Sequence, residues 1–251
     1  SGKFKSSNKV VLEEFLKGEE ASYFLVIDKK SFIRFGSAQD HKKVYEKELG
    51  PNTGGMGAYS PAPIINKDLE KKIIDRIVKP TLKALKDNNQ FYRGFLYVGL
   101  MIKNNEPYLI EYNVRMGDPE CQVILPRLKT NFLKIINHSI ENKLGKLKIS
   151  WEKNKCMTIV LCSKGYPGNY KKGKFIDIDK ISDKKNLFIL HAGTKKINGN
   201  TISNGGRVLN VVCKGVKFNS MRKKIIKLLQ RINWKDGFYR KDIGWRVIKK
   251  L

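Results

Sequence analysis

Glu111-Tyr-Asn-Val-Arg-Met-Gly-Asp-Pro-Glu120 stands at the end of an alternating run that begins at Pro107. Tyr108, Ile110 and Tyr112 recur at every second position, the period of a strand. Strict alternation places Leu109, Glu111 and Asn113 on the opposite face, joined by Arg115 if the strand runs on. A carboxylate and an amide oxygen two residues apart on one face can share a hard cation such as Mg²⁺, with phosphate oxygens and water completing the shell. An arginine on that same face can grip a carboxylate or phosphoryl oxygen with both arms of its fork. Gly117-Asp118-Pro119 then ends the strand. The same spacing also suits a solvated polar face, so the remainder of the chain has to decide.

The chain has 251 residues, 41% hydrophobic and 10% aromatic, which suits one large or two small globular domains. No apolar run reaches the length of a membrane span, and the first residues lack signal-peptide architecture. Cys121, Cys156, Cys162 and Cys213 show neither C-x-x-C nor metal-ligand spacing, so they read as reduced, mostly buried thiols of a cytoplasmic protein. A formal charge of +28 raises the possibility of nucleic-acid binding. The lysines, however, are spread along the whole chain rather than gathered in a stripe with aromatics. The expectation is no specific nucleic acid, no membrane, and a monomer.

Along the chain, Lys9–Leu16 reads as a strand, Glu20–Ile27 as a second and Ser31–Gly36 as a third, together a meander. Ser37–Pro63 reads as a long loop. Asn66 caps a helix over Lys67–Asn88, with Leu69, Ile73 and Ile77 on one face, continued by Leu82 and Leu85; Pro80 should kink or divide it. Gly94–Lys103 and Glu106–Asn113 form a hairpin about Asn104-Asn105. Pro119–Arg127 is a loop or short helical turn, and Asn131–Asn142 a helix. The pattern lapses into a charged linker at Gly145–Lys155. Beyond it, Met157–Cys162, Phe188–Ala192 and Arg207–Cys213 read as strands, and Ser220–Ile232 as a helix with Met221, Ile225, Leu229 and Ile232 inward. His138 is placed on a helix surface and His191 in a core strand. His41, near polar residues but with no second His or Cys beside it, does not read as a metal ligand.

Gly50-Pro-Asn-Thr-Gly-Gly-Met-Gly-Ala-Tyr-Ser-Pro-Ala-Pro63 stands out within the long loop. Glycines at 54, 55 and 57 permit close backbone approach and open N–H groups, the makings of an anion nest, although the segment is not a Walker loop. Gln39-Asp-His-Lys-Lys43 sets an acid and two cations beside it. Val11–Glu20 brings four carboxylates to the end of an apolar run.

These segments, taken in order, closely resemble the glycinamide ribonucleotide synthetases (phosphoribosylamine–glycine ligases), ATP-grasp enzymes of purine biosynthesis. The resemblance extends to Gly193-Thr194, Asn204–Leu209 and Arg240–Trp245, and so covers essentially the whole chain. It implies an α+β fold: a partial ATP-grasp lid subdomain (1–36) and the following mixed metal and phosphate lobe (37–144), then a small C-terminal α+β domain (150–251) on the substrate side.

Carried over residue by residue, the resemblance implies that Glu13, Glu14, Phe15 and Leu16 line an adenine pocket and that Glu20 holds the ribose. Lys43 and Asn52 would meet the phosphates of ATP, and Glu111 and Asn113 would bind Mg²⁺, with Mn²⁺ an alternative. Asp40 and Arg115 become the catalytic candidates. Gly54, Gly55, Met56, Gly57, Asp118, Pro119, Gly205, Gly206 and Arg207 would face glycine and 5-phosphoribosylamine. The implied reaction activates glycine as an acyl phosphate that the amine then attacks, which suits a chain without a Ser/His/Asp or Cys/His set. Met116 departs from the Phe or Leu usual in the family, a volume-conserving change. The family's first lobe and its lysine-and-glycine segment over the phosphates would lie before Ser1, so activity is expected of a longer parent and not of these residues alone. The competing readings are another ATP-grasp carboxylate–amine ligase and a basic nucleic-acid-binding protein.

Overall fold

In a computed structural model, residues 11–178, 181 and 184–248 are described. The strands in chain order are β1 (Glu19–Ile27), β2 (Phe32–Asp40), β3 (Lys43–Tyr45), β4 (Leu49–Asn52) and β5 (Gly57–Ser60). Helices α1 (Lys67–Ile73) and α2 (Lys79–Asp87) follow, then β6 (Gly94–Lys103), β7 (Glu106–Asn113), α3 (Cys121–Ile124) and α4 (Phe132–Ile140). The rest comprises β8 (Lys155–Ser163), β9 (Leu187–His191), β10 (Thr194–Ile197), β11 (Asn200–Ser203), β12 (Arg207–Gly215), α5 (Phe218–Ile232), β13 (Gly237–Phe238) and α6 (Trp245–Ile248).

One sheet runs β7-β6-β1-β2-β5-β8-β12-β9, with β13 added beside β8. The short β5 joins its two halves, pairing with the end of β2 (Gln39↔Tyr59, Asp40↔Ala58) and with β8 (Gly57↔Ile159 to Ser60↔Cys156). The sheet therefore passes unbroken across the charged linker at 145–155. Three apolar clusters cover it. The first, against β1 and β6, is filled by Leu69, Ile73 and Ile77, the helix stripe expected from the sequence. The second, around Phe24, Phe35, Ile124 and Ile135, also takes in Cys156 and Val212 from beyond the linker. The third packs Met221, Ile225, Leu229 and Ile232 of α5 on β8 and β12. Burying an aliphatic side chain of this size contributes about 1.5–3 kcal/mol.

Local chemistry explains the element ends. Asn66 Oδ1 accepts the Leu69 N–H at 2.8 Å, capping α1. Pro80 has no N–H to return to the turn before it, and a π-helical turn at Ile74–Val78 separates α1 from α2 there. The four cysteines are free thiols and three of them are buried.

Four expectations need correction. Lys9 and Val10 lie outside the described residues, and 11–17 form no strand. Val11, Leu12 and Phe15 stay exposed, with no neighbouring strand among the described residues to pair with. Ser37–Pro63 is not one long loop: it completes β2 and holds β3, β4 and β5, short strands whose Gly and Pro content masked them. His191 is exposed, because β9 is an edge strand, and its Nδ1 lies 2.9 Å from Thr194 Oγ1. In β7 the register slips by one between the Leu100↔Leu109 and Gly99↔Glu111 pairs, leaving Ile110 without a partner. Directly opposed residues share a face, so this bulge turns Glu111 to the side opposite Leu109. Glu111 and Asn113, opposite Gly99 and Tyr97, remain together.

Candidate active site

The carboxylates and cations singled out in the sequence converge where β1, β2, β6 and β7 lie side by side. A narrow cleft there is lined by Glu20 and Ser22 of β1, Asp40 and Lys42 at the end of β2, Tyr97 and Gly99 of β6, and Ile110 and Glu111 of β7. Lys42 Nζ is 2.8 Å from Glu20 Oε2. Gly99 leaves room for Glu111: a Cβ there would stand 3.0 Å from Glu111 Cγ.

Asp40 and Glu120 are buried acids. Desolvation, then the neighbouring Glu120 charge, push the Asp40 carboxyl up to about 7, against the lowering influence of Lys42. Burial likewise raises Glu120, whose Oε1 lies 3.1 Å from Ser22 Oγ; that hydroxyl is also 3.1 Å from the Tyr97 hydroxyl. With the Glu120 charge opposing ionisation of Asp40, the pair carries one proton more readily than two charges. Among the described residues Asp40 makes no side-chain hydrogen bond or ion pair beyond the reach of its own backbone N–H. Neither Ser22, Tyr97 nor Glu120 was assigned a role from the sequence. Glu120 lay in the quoted stretch, but beyond the glycine where strand periodicity stops informing.

Glu111 accepts from Asn113 Nδ2 at 3.0 Å and, among the described residues, meets no cation, notable in a chain with 51 lysines and arginines. A carboxylate that faces the cleft without a cation, hydrogen-bonded to a reversible amide, is a donor set that fits Mg²⁺. Arg115 is exposed, and its Nη1 donates to the Met116 carbonyl at 3.0 Å. Lys43 and Asn52 oppose each other across the β3–β4 hairpin. Glu13, Glu14 and Phe15 are exposed and Leu16 half-buried, and none of the four lines the cleft.

The glycine segment behaves differently from an open nest. The Gly54 N–H donates to the Tyr166 hydroxyl (3.0 Å), that of Gly55 to Thr53 Oγ1 (3.0 Å) and that of Met56 to the His41 carbonyl (2.8 Å). These donors are spent inside the protein. Of the three glycines at 54, 55 and 57 only Gly55 has positive φ, +113°, and a Cβ on it would strike Pro119 Cδ at 2.4 Å. The Met56 side chain is fully buried in the third cluster, and Gly57 is required by packing, 2.7 Å from the Thr158 carbonyl oxygen to its would-be Cβ. Neither offers a side chain to a ligand.

Arg207 gathers the rest. Its Nη1 donates to the Gly54 carbonyl (2.6 Å) and the Asp118 carbonyl (2.7 Å), and its Nη2 to Asp118 Oδ2 (3.0 Å). Gly205 and Gly206 hold the loop before it, their carbonyls accepting from Ser163 Oγ and Ser163 N–H, both at 2.8 Å. So Gly54, Asp118, Pro119 and Gly205–Arg207, remote in sequence, form one wall, clamped by a guanidinium.

A second network fixes the β3–β4 hairpin from behind. Buried Arg240 donates to Asp242 Oδ1 and Oδ2 (2.8 and 2.9 Å), the Lys43 carbonyl (2.8 Å) and Glu48 Oε1 (2.8 Å). His41, fully buried, sits 3.0 Å from Glu48 Oε1 through Nδ1 and accepts the Gly244 N–H on Nε2 at 3.0 Å. Desolvation lowers its pKa, so the ring is a neutral Nδ1–H tautomer. Hydrogen bonds from His41, Arg240 and Trp245 outweigh burial and hold Glu48 well below the usual carboxylate range.

A half-sheet carrying acids and an amide at one strand end, joined through β5 to a second lobe whose Arg207 clamps Gly54 and Asp118, suits an ATP-grasp fold. The family model for the ATP-grasp (A) domain of phosphoribosylglycinamide synthetase matches residues 1–121, and that for its C domain residues 156–246. The chain therefore belongs to the phosphoribosylglycinamide synthetase family. It is 40% identical over 242 residues to a phosphoribosylamine–glycine ligase of Brucella melitensis, covering 96% of this chain and 57% of that one. The crystal structure of the phosphoribosylamine–glycine ligase of Thermotoga maritima superposes with a TM-score of 0.78 at 34% identity, over 92% of this chain and 56% of that chain. A Hydrogenobacter thermophilus biotin carboxylase domain, in complex with ADP, magnesium and bicarbonate, shares the fold alone: TM-score 0.59, 12% identity, 84% of this chain and 45% of that one. The chain thus spans a little over half the length of its curated relative.

Proposed function

We propose that the protein carrying this chain ligates glycine to 5-phosphoribosylamine at the cost of ATP, in the cytoplasm, as a step of purine biosynthesis. The observation that carries the proposal is the convergence of Glu20, Asp40, Lys42 and Glu111 in one cleft. ATP transfers its terminal phosphoryl group to the glycine carboxylate, giving glycyl phosphate and ADP. The nitrogen lone pair of the amine attacks the acyl carbon, the C–O bond to phosphate breaks, and the new amide loses one proton. Glu111 and Asn113 would hold Mg²⁺, which supplies neutralisation of phosphate charge when bound.

The chain's own side chains do the remainder by placement and charge, with no side-chain nucleophile required. Lys43 and Asn52, side by side on the hairpin, reach toward the nucleotide phosphates. Arg115, free of any acid among the described residues, presents its fork to the substrate carboxylate or the transferred phosphoryl group. Arg207 spends its donors on Gly54 and Asp118, so its part is to keep the amine-side wall closed. Residues 145–155 separate a nucleotide-side unit from a C-terminal substrate-side unit.

The test uses the complete parent protein. ADP release is followed with Mg²⁺, ATP, glycine and phosphoribosylamine, each left out in turn. Turnover that needs both glycine and phosphoribosylamine is the expected result; ADP release with a different acid or amine would discard the substrate assignment.

A further inference from the structure

Helix α2 carries an apolar stripe that the fold leaves uncovered. Leu82 and Leu85 continue the line of Leu69, Ile73 and Ile77, yet no residue of α2 is buried. Beside it lies a groove of about 540 Å³, within the roughly 300–1,000 Å³ usual for small-molecule sites. Ile27 and Phe32 line it together with the two leucines, and Phe91, 54% exposed, adds an aromatic ring. The groove shares no residue with the cleft. Ile27 borders the one and Glu20 the other, at opposite ends of β1 and so roughly 23 Å apart.

Five lysines, Lys29, Lys30, Lys79, Lys83 and Lys86, line the groove against a single acid, Asp28. That acid is spent within the protein, accepting the N–H groups of Lys30 (2.8 Å), Ser31 (2.7 Å) and Leu144 (2.9 Å). Lys79 and Lys83 pair with Asp75 and Asp87. Lys29, Lys30 and Lys86 meet no carboxylate among the described residues, and Lys29 Nζ stands 5.7 Å from the centroid of the Phe91 ring. Gln90 brings a side-chain amide, unengaged among the described residues and able to donate and accept at once. A bare anion would leave the stripe wet, and an acyl chain would have no use for the ring or the amide. A flat ring with a polar edge and phosphate charge answers all of them.

We infer that this groove is a second nucleotide site, separate from the cleft. The base lies against Phe91 and the Leu82–Leu85 stripe, Gln90 meets its polar edge, and the phosphates meet Lys29, Lys30 and Lys86. A nucleotide seated there covers the stripe and ties α2 to the β1–β2 turn. The inference does not depend on the ligase reading.

Calorimetry on the full-length parent tests this, with β,γ-methylene-ATP and Mg²⁺ as the probe. Wild type should show a site in the groove besides the one in the cleft. Phe91→Ala should weaken the groove site by about 5- to 150-fold, the worth of one stacked base. Lys30→Glu combined with Lys86→Glu should weaken it by about 10-fold or more, as charged hydrogen-bond donors are lost. All three side chains are exposed, and the KM for ATP should stay unchanged in both variants. Inorganic pyrophosphate, which lacks the base, should bind the groove at least about 5-fold more weakly than the probe. If no site responds to Phe91→Ala or to the lysine pair, the inference is overturned, however many sites wild type shows. Pyrophosphate binding as tightly as the probe overturns it in favour of surface charge alone. An RNA oligonucleotide binding more tightly than the mononucleotide overturns it in favour of a nucleic-acid face. If Phe91→Ala fails to fold, the lysine variant and the wild-type pyrophosphate comparison still decide.

Discussion

Replacing Arg240 by leucine should cost the protein about 3 kcal/mol. The guanidinium is 1% exposed and places four hydrogen bonds on Asp242, Glu48 and the Lys43 carbonyl. Removing one partner of a buried ion pair costs roughly 3–5 kcal/mol, most of it the penalty on the charge left behind. Two features place this site at the lower end. Glu48 keeps the His41 ring and the Trp245 indole N–H, and Asp242 keeps the Lys47 N–H at 2.9 Å. Both acids also retain some contact with water, at 26% and 20% side-chain exposure. With a urea m-value of about 3 kcal/mol per M, typical of the upper range, the unfolding midpoint should fall by about 1 M. Circular dichroism against urea reads this directly. Adding Glu48→Gln to Arg240→Leu should cost less than the sum of the single changes, since the first removes what makes the second group an orphan. A midpoint within about 0.3 M of wild type would refute the reasoning, and with it the idea that this network braces the β3–β4 hairpin.

The same network makes the fold acid-sensitive. His41 and Glu48 both have folded pKa values below their unfolded ones, so their stabilisation is present above the unfolded values and is lost as pH falls. The urea midpoint should therefore drop in two limbs, starting near pH 6.5 for the histidine and near 4.3 for the acid; His41→Gln should erase the first. Gly55→Ala meets both a φ of +113° and Pro119, and should cost at least about 2 kcal/mol, seen as a lower melting temperature. Glu111→Ala should abolish Mg²⁺-dependent ligation in the parent while moving stability by less than about 0.5 kcal/mol, because Asn113 is its one described partner; unaltered turnover would remove it from the site. Arg115→Lys should raise the KM for glycine, as an ammonium lacks the planar fork, and wild-type glycine kinetics would contradict the clamp.

Regular periodicity was readable wherever it persisted. The β6–β7 hairpin ends where the sequence places it, the Asn66 cap and the break before Pro80 follow from single residues, and the α5 stripe is buried as expected. Legibility failed where one residue alters geometry without altering composition. The bulge at Ile110 has no signature in the alternating run, yet it decides which neighbours Glu111 has. Glu120 follows a Gly-Asp-Pro break, where no period says which way an acid points. β3, β4 and β5 are two to four ladder pairs long and built from residues common in turns; β5 is set by the sheet it completes, while β3 and β4 pair only with each other and are held by Arg240 and Glu48. Arg240 and His41 are 199 residues apart, and no local pattern announces that both serve Glu48.

The placement of β5 has a practical consequence for anyone dividing this chain. Its four residues are all buried; all four pair with β8, and Ala58 and Tyr59 also pair with β2. A cut in the linker at 145–155 would strip β8 from β5 and leave each fragment with a raw, apolar strand edge, an adhesive surface for other chains. The linker is a seam in composition, while the sheet that crosses it is a single piece of cloth. Expressed apart, the halves should aggregate; co-expressed, they should find each other through β5.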